Sequence, residues 1–279
     1  MSSLTGYVGS LDNTRVTSRH RPAAVDHAYG RLAGGRPGGH YLLVSGVYVA
    51  LGDSMSIDFY AGGPGHGAAS LLYRNDDADF PAWAGQDLAC AGWTAVVLAT
   101  DGATAVDVVV EQLPLLTQAP ALVTITAGGN DLMWTYGDTP AAYAAVDRVG
   151  AVYEEILSRL DAIGGCRIVL TTVYDPSDGT GHVPGAALPP WPAGPAVVAA
   201  LNARLTDLAD RHGAVLADVH GSFLGHGLHA GDPAQPEPRP SNRDLWYCGL
   251  IEPNAWGAHH IRATWWEALR RSGWQAPQR

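Results

Sequence analysis

Ser54 follows Gly52-Asp53 at the point where a short apolar run, Val47-Tyr48-Val49-Ala50-Leu51, comes to a stop. A serine hydroxyl can carry acyl transfer if a base takes its proton and donors face the oxyanion that forms. Ser54 offers the hydroxyl and its own backbone N–H. Gly102, in Asp101-Gly102-Ala103-Thr104, offers a second N–H with no Cβ in the way, and Asn130, in Gly128-Gly129-Asn130-Asp131, offers a side-chain amide. Each is also an ordinary turn or cap residue, as Gly, Asn, Asp and Ser often are. What sets the three apart is that each stands where an apolar run ends.

Those runs must be the elements that position them. Apolar, β-branched stretches cut off by glycine read as central strands of a parallel sheet, whose carboxyl ends gather ligands along one edge. Strands are expected at Val47–Leu51, 94–100, 121–127, 166–174 and 215–219. Helices are expected near 80–91, 105–116, 140–163, 196–212 and 254–272, with Gly164-Gly165 ending the long one. The stretch 57–77 is too glycine-rich for a regular helix, and AGGPGHG (Ala61 to Gly67) within it reads as a flexible rim of the pocket, from which His66 could approach the substrate. Residues 175–195 form a Pro/Gly-rich insertion and 221–252 a long loop. The alternation makes residues 43–279 one doubly wound three-layer α/β domain, with 1–42 a polar extension or arm.

Composition removes several functions. The 279 residues carry 17 basic and 27 acidic side chains, a net charge of -10, so nucleic acid is not the expected partner. Every basic residue is arginine, which excludes a Schiff-base lysine, a P-loop lysine and a Ser-Lys dyad. No HExxH or paired Cys/His spacing points to zinc, so no metal and no cofactor is expected. Cys90, Cys166 and Cys248 are sparse and odd in number, as free thiols in a reducing compartment would be. With no apolar signal core and no membrane span, the expected location is the cytoplasm. Oligomeric state and physiological substrate are not legible.

Gly52-Asp53-Ser54, Gly102 and Gly128-Gly129-Asn130-Asp131, in this order and spacing, resemble the first three sequence blocks of the SGNH (GDSL-type) hydrolases. The resemblance spans roughly residues 44 to 272. It implies a flavodoxin-like α/β/α sandwich with a five-stranded parallel sheet. It also implies a serine hydrolase acting on small-molecule esters, thioesters or acetylated sugars. Ser54 would be the nucleophile, and the Ser54 N–H, Gly102 N–H and Asn130 amide the oxyanion hole.

The fourth block departs from the family. Where Asp-x-x-His-Pro is usual, this chain reads Tyr247-Cys248-Gly249-Leu250-Ile251-Glu252-Pro253-Asn254. Glu252 takes the place of the histidine and the upstream aspartate is missing. Phe223-Leu224-Gly225-His226 resembles a stretch of some SGNH esterases, so one expectation has His226 as base, oriented by Glu252. A second has Glu252 take the proton itself, which requires burial to raise its pKa. His220, His229, His259 and His260 are further imidazoles, the last two reading as packing or surface residues of a helix. The bland reading of His226 is a histidine bracing a long loop. Trp134 and Tyr136 could line an acyl pocket or simply pack. Besides an esterase, the chain could be an acyltransferase on the same scaffold or a catalytically silent binding protein.

Overall fold

The computed structural model describes residues 46–183, 188–228, 230 and 245–275; the arm expected at 1–42 and His229 lie outside them. Five strands, β1 (Val47–Gly52), β2 (Thr94–Val97), β3 (Leu122–Thr126), β4 (Arg167–Thr171) and β5 (Val215–Ala217), form one sheet in the order β2-β1-β3-β4-β5. Every pairing is parallel. This is the flavodoxin-like doubly wound order, whose switch point lies between β1 and β3.

Side chains alternate along each central strand, so the sheet has two cores. Tyr48, Ala50 and Leu122 face α1 (Ala68–Tyr73) and α7 (Ala255–Arg271), where Trp265 and Trp266 are buried. Val49, Leu51, Val123 and Ile125 face α2 (Ala105–Asp107), α4 (Thr139–Ile163) and α5 (Gly194–His212). Helix α4 starts on Asp138, whose carboxyl accepts from Ala141 N, and ends at Gly164. Beyond α2 the chain continues as a wide turn, Val108–Gln112, and a tight one, Leu113–Leu115.

The expected helix at 80–91 is absent. Pro81 and Gly85 break that stretch into two short turns, Pro81–Trp83 and Ala89–Ala91. A regular helix forms instead at α1, inside the stretch expected to be too glycine-rich, because Ala68–Tyr73 itself contains no glycine. The displaced aromatics have a use. Phe80 stacks on His259 at 4.1 Å, and the Arg262 guanidinium lies 4.0 Å from the Trp83 ring centre. Arg262 is fully buried and bonds Asn75, the Leu71 carbonyl and His259. His259 is thus a packing residue, as its helical position suggested.

Within the expected loop 221–252 the structure adds α6 (Val219–Phe223), continuous with the end of β5, and a hairpin of β6 (Tyr247–Cys248) with β7 (Glu252–Pro253).

Candidate active site

Strand β1 ends against β3 at a contact that admits only glycine. Gly52 has φ 119°, and a Cβ there would lie 1.6 Å from the Thr126 carbonyl oxygen. Gln112 then holds the strand end like a missing neighbour: its Oε1 accepts from Gly52 N at 2.7 Å and its Nε2 donates to Gly52 O at 2.8 Å. Beyond Gly52 the chain turns tightly, with Asp53 N on Thr126 Oγ1 and Met55 N on Asp53 Oδ1. Ser54 is thereby set at the carboxyl edge of the sheet, 8% exposed. Burial pushes the Asp53 carboxyl up to about 6, against hydrogen bonds that favour its charge.

The two other strand ends are tied to each other. Gly102 sits in an exposed turn after β2 with φ 71°, and Ala103 N closes that turn on Thr100 O at 3.3 Å. Thr100 N reaches Gly52 O, so the turn is registered on the end of β1. From the end of β3, α3 (Gly129–Met133) presents Asn130, whose Nδ2 donates to Ala103 O at 2.9 Å. The neighbouring Asp131 accepts from Ala105 N at 3.0 Å. One amide hydrogen of Asn130 is spent on holding the Gly102 turn, which leaves the other for a ligand.

Glu252 arrives from the far side. The β6–β7 hairpin turns through Gly249 at φ 53° and Leu250 at φ 81°, a left-handed conformation that costs a leucine about 1–2 kcal/mol. Two outside bonds hold it, Tyr174 Oη to Ile251 O and Cys248 Sγ to Tyr60 O, and Asn254 Nδ2 to Leu245 O closes its base. The Glu252 carboxyl is within hydrogen-bonding reach of the Ser54 hydroxyl. Its Oε2 is buried with no partner among the described residues. Burial, and to a smaller extent the charges of Asp101 and Asp53, push it up to about 7, while the Ser54 hydroxyl pulls the other way. A carboxyl so raised is a far better proton acceptor than an ordinary glutamate.

His226 is held in a stack of rings. Its ring lies face to face with the Trp246 indole at 3.6 Å, and His260 stacks at 3.6 Å on the other side of that indole. Its carbonyl accepts from Trp246 N, which ties this loop to the strand leading into the hairpin. Burial, with smaller contributions from His226 and Arg262, lowers His260 to about 4. His220 bonds the Val173 carbonyl at the end of β4. Trp134 is 74% exposed, whereas Tyr136 packs on Trp191 and bonds Pro189 O.

Gln112 escaped the sequence reading. Nothing in its residue type marks a glutamine in an apolar helix as the clamp of a strand end. Cation-ligand chemistry is offered away from this site, by His66 Nε2 at 3.3 Å from Asp76 Oδ2 and 3.6 Å from Asp79 Oδ2. Among the described residues this is the group whose ligand atoms gather within 4.8 Å. The imidazole lies between two part-exposed aspartates, with Asp76 held below its ordinary pKa mainly by the Asp79 backbone N–H.

The model of the GDSL-like lipase/acylhydrolase family matches residues 50–259, which includes both Ser54 and Glu252. The chain belongs to this family. Among solved structures, an acetylxylan esterase, Axe2 from Geobacillus stearothermophilus, is 16% identical with a TM-score of 0.56, over 84% of this chain and 96% of its own. A phospholipase A1 from Streptomyces albidoflavus NA297 is 22% identical with a TM-score of 0.52, over 82% and 100%. LAE5, an alpha/beta hydrolase from the metagenome of Lake Arreo, is 20% identical with a TM-score of 0.54, over 83% and 98%. At these identities the likeness is one of fold. Comparison with curated protein sequences gives no match.

Proposed function

We propose that this GDSL-family chain is a serine esterase that cleaves a carboxylic ester through an acyl-enzyme on Ser54, with Glu252 as the general base. The observation that carries the reading is the Glu252 carboxyl at the Ser54 hydroxyl, with its basicity raised by burial. Glu252 removes the Ser54 proton as Oγ attacks the ester carbonyl. The oxyanion meets the N–H groups of Ser54 and Gly102 and the free amide hydrogen of Asn130. As the tetrahedral adduct collapses, the alkoxide leaves with the proton from Glu252, and the acyl group stays on Oγ. Water then attacks the acyl-enzyme, giving its proton to Glu252, and the acid departs as Oγ is reprotonated. His226 acts on this reading through Trp246, by fixing the strand that feeds the hairpin. No cofactor enters the scheme, and the cytoplasm remains the proposed location.

A fluorophosphonate probe should label the wild type and leave Ser54→Ala unlabelled, and Ser54→Ala should lose at least about 1,000-fold in ester turnover. Labelling that survives Ser54→Ala would sink the assignment. Product analysis with added alcohol separates hydrolysis from acyl transfer, and absence of any burst or turnover favours a binding protein.

A further inference from the structure

Tyr60 touches all three pieces of the site. It lies in the short turn Phe59–Ala61 that follows the Ser54 loop, and this turn packs against β7 and α7. Its hydroxyl donates to both carboxylate oxygens of Asp101, Oδ1 at 3.2 Å and Oδ2 at 3.1 Å. Asp101 immediately precedes Gly102. The Tyr60 carbonyl accepts from Cys248 Sγ at 3.4 Å, and Cys248 pairs across the hairpin with Glu252. One residue of the nucleophile loop therefore grips the Gly102 turn with its side chain and the Glu252 hairpin with its backbone. Asn130 holds the same turn from the opposite side, through Ala103 O.

The grip matters because the Asp101–Gly102 side of the turn, away from Asn130, faces solvent. Gly102 has no heavy atom within 4 Å of where a Cβ would stand, and both Asp101 and Gly102 are exposed. An N–H that is to stabilise an oxyanion must be aimed before the charge develops. Asp101 forms no ion pair with any described residue. Burial and the neighbouring charges of Glu252 and Asp101 keep the Tyr60 phenol protonated, so it remains a donor throughout the pH range of catalysis.

We propose that Tyr60 is a positioning residue of the esterase reaction, latching the Asp101–Gly102 turn so that the Gly102 N–H is aimed at the oxyanion. This rests on the assignment of Ser54 and Glu252 above. The latch can be separated from the Asp101 charge. Tyr60→Phe removes the latch and leaves the Asp101 charge. Asp101→Asn keeps an acceptor for the Tyr60 hydroxyl and removes the charge.

The experiment is the pH dependence of p-nitrophenyl acetate hydrolysis by the full chain and both variants, with rates expressed per Ser54 site labelled by fluorophosphonate. Counting labelled sites removes any unfolded fraction. For Tyr60→Phe we expect kcat to fall about tenfold, short of the 10²–10³ that follows complete loss of an oxyanion donor, with KM within about twofold. Its acidic limb should stay near that of the wild type. For Asp101→Asn the acidic limb should move down by about half a pH unit, because a like charge beside Glu252 is gone, with plateau kcat within about threefold. Wild-type kcat in Tyr60→Phe, or a loss confined to KM, overturns the latch; an unmoved limb in Asp101→Asn overturns the charge effect. A wild type in which Ser54 takes no label fails the underlying assignment instead, so the two failures are told apart.

Discussion

The end of β1 and the β6–β7 hairpin deliver Ser54 and Glu252 to one place, by different means. At β1 the position is dictated by the sheet itself: Gly52 is pressed on the Thr126 carbonyl, and both its backbone groups are taken up by Gln112. At the hairpin only two ladder pairs exist, the turn runs through a left-handed Leu250, and two bonds to distant residues and one across its base keep it in place. The first arrangement tolerates almost no change of residue. The second fixes where a side chain points but not which proton acceptor it carries. That difference accounts for a chain whose Gly-Asp-Ser end looks ordinary for the family while glutamate stands where the family's fourth-block histidine is expected.

The comparison can be broken most forcefully at β1. Gly52→Ala puts a methyl group 1.6 Å from backbone and should cost more than about 3 kcal/mol, so that thermal unfolding finds little folded protein. A well-folded Gly52→Ala would show that the sheet end yields.

On the hairpin side, the sign of the Glu252 effect is opposite to that of a structural carboxylate. Its pKa is raised from 4.5 to about 7 on folding, so the folded state binds the proton more tightly than the unfolded chain. Glu252 therefore costs no stability below about pH 4, and costs progressively more as pH rises to about 7, where the penalty is on the order of 3 kcal/mol. Glu252→Gln should melt higher than the wild type at pH 8 and show a smaller loss of stability between pH 5 and 8. Equal pH profiles in the two proteins would contradict the burial argument. Buried Asp53, raised to about 6, leaves a residual slope of the same sign.

Gln112→Leu keeps the volume but orphans Gly52 N and one lone pair of its carbonyl, for a loss of about 2 kcal/mol by urea titration. A neutral result would make the clamp incidental. The smallest effect belongs to the hairpin turn. Leu250→Gly relieves the left-handed strain and should raise stability by up to about 1 kcal/mol, with kcat within about twofold. A large fall in kcat would mean that the strained turn itself aims Glu252.

The same contrast explains what could be read in the sequence. The β1, β3 and β4 runs are apolar on both faces and end in glycine or small polar residues, so period and punctuation revealed the sheet and its active edge. Strand β2 is an edge, exposed at Thr94, Val96 and Val97, and pattern alone overran its end by three residues. The helix expected at 80–91 failed because Pro81 and Gly85 interrupt it, although Phe80 and Trp83 keep a helix-like spacing and are used to cage the buried Arg262. The site followed suit. Gly52, Gly102 and Asn130 announce themselves by the backbone conformations and donors that strand ends require. Glu252 showed only as a substitution in a familiar position, because its placement depends on Tyr174 and Tyr60, both far away in sequence, the second acting through its backbone carbonyl.

The central claim is that Glu252 takes the Ser54 proton. It is tested most directly by the pH dependence of the acylation burst with an activated ester, in Glu252→Gln beside His226→Ala. The account predicts that Glu252→Gln slows acylation by about 100-fold or more and abolishes the acidic limb near pH 7. His226→Ala should keep that limb, with a rate per labelled site within about fivefold of the wild type. Retention of the rate and limb in Glu252→Gln, with both lost in His226→Ala, would contradict it and make the imidazole the base.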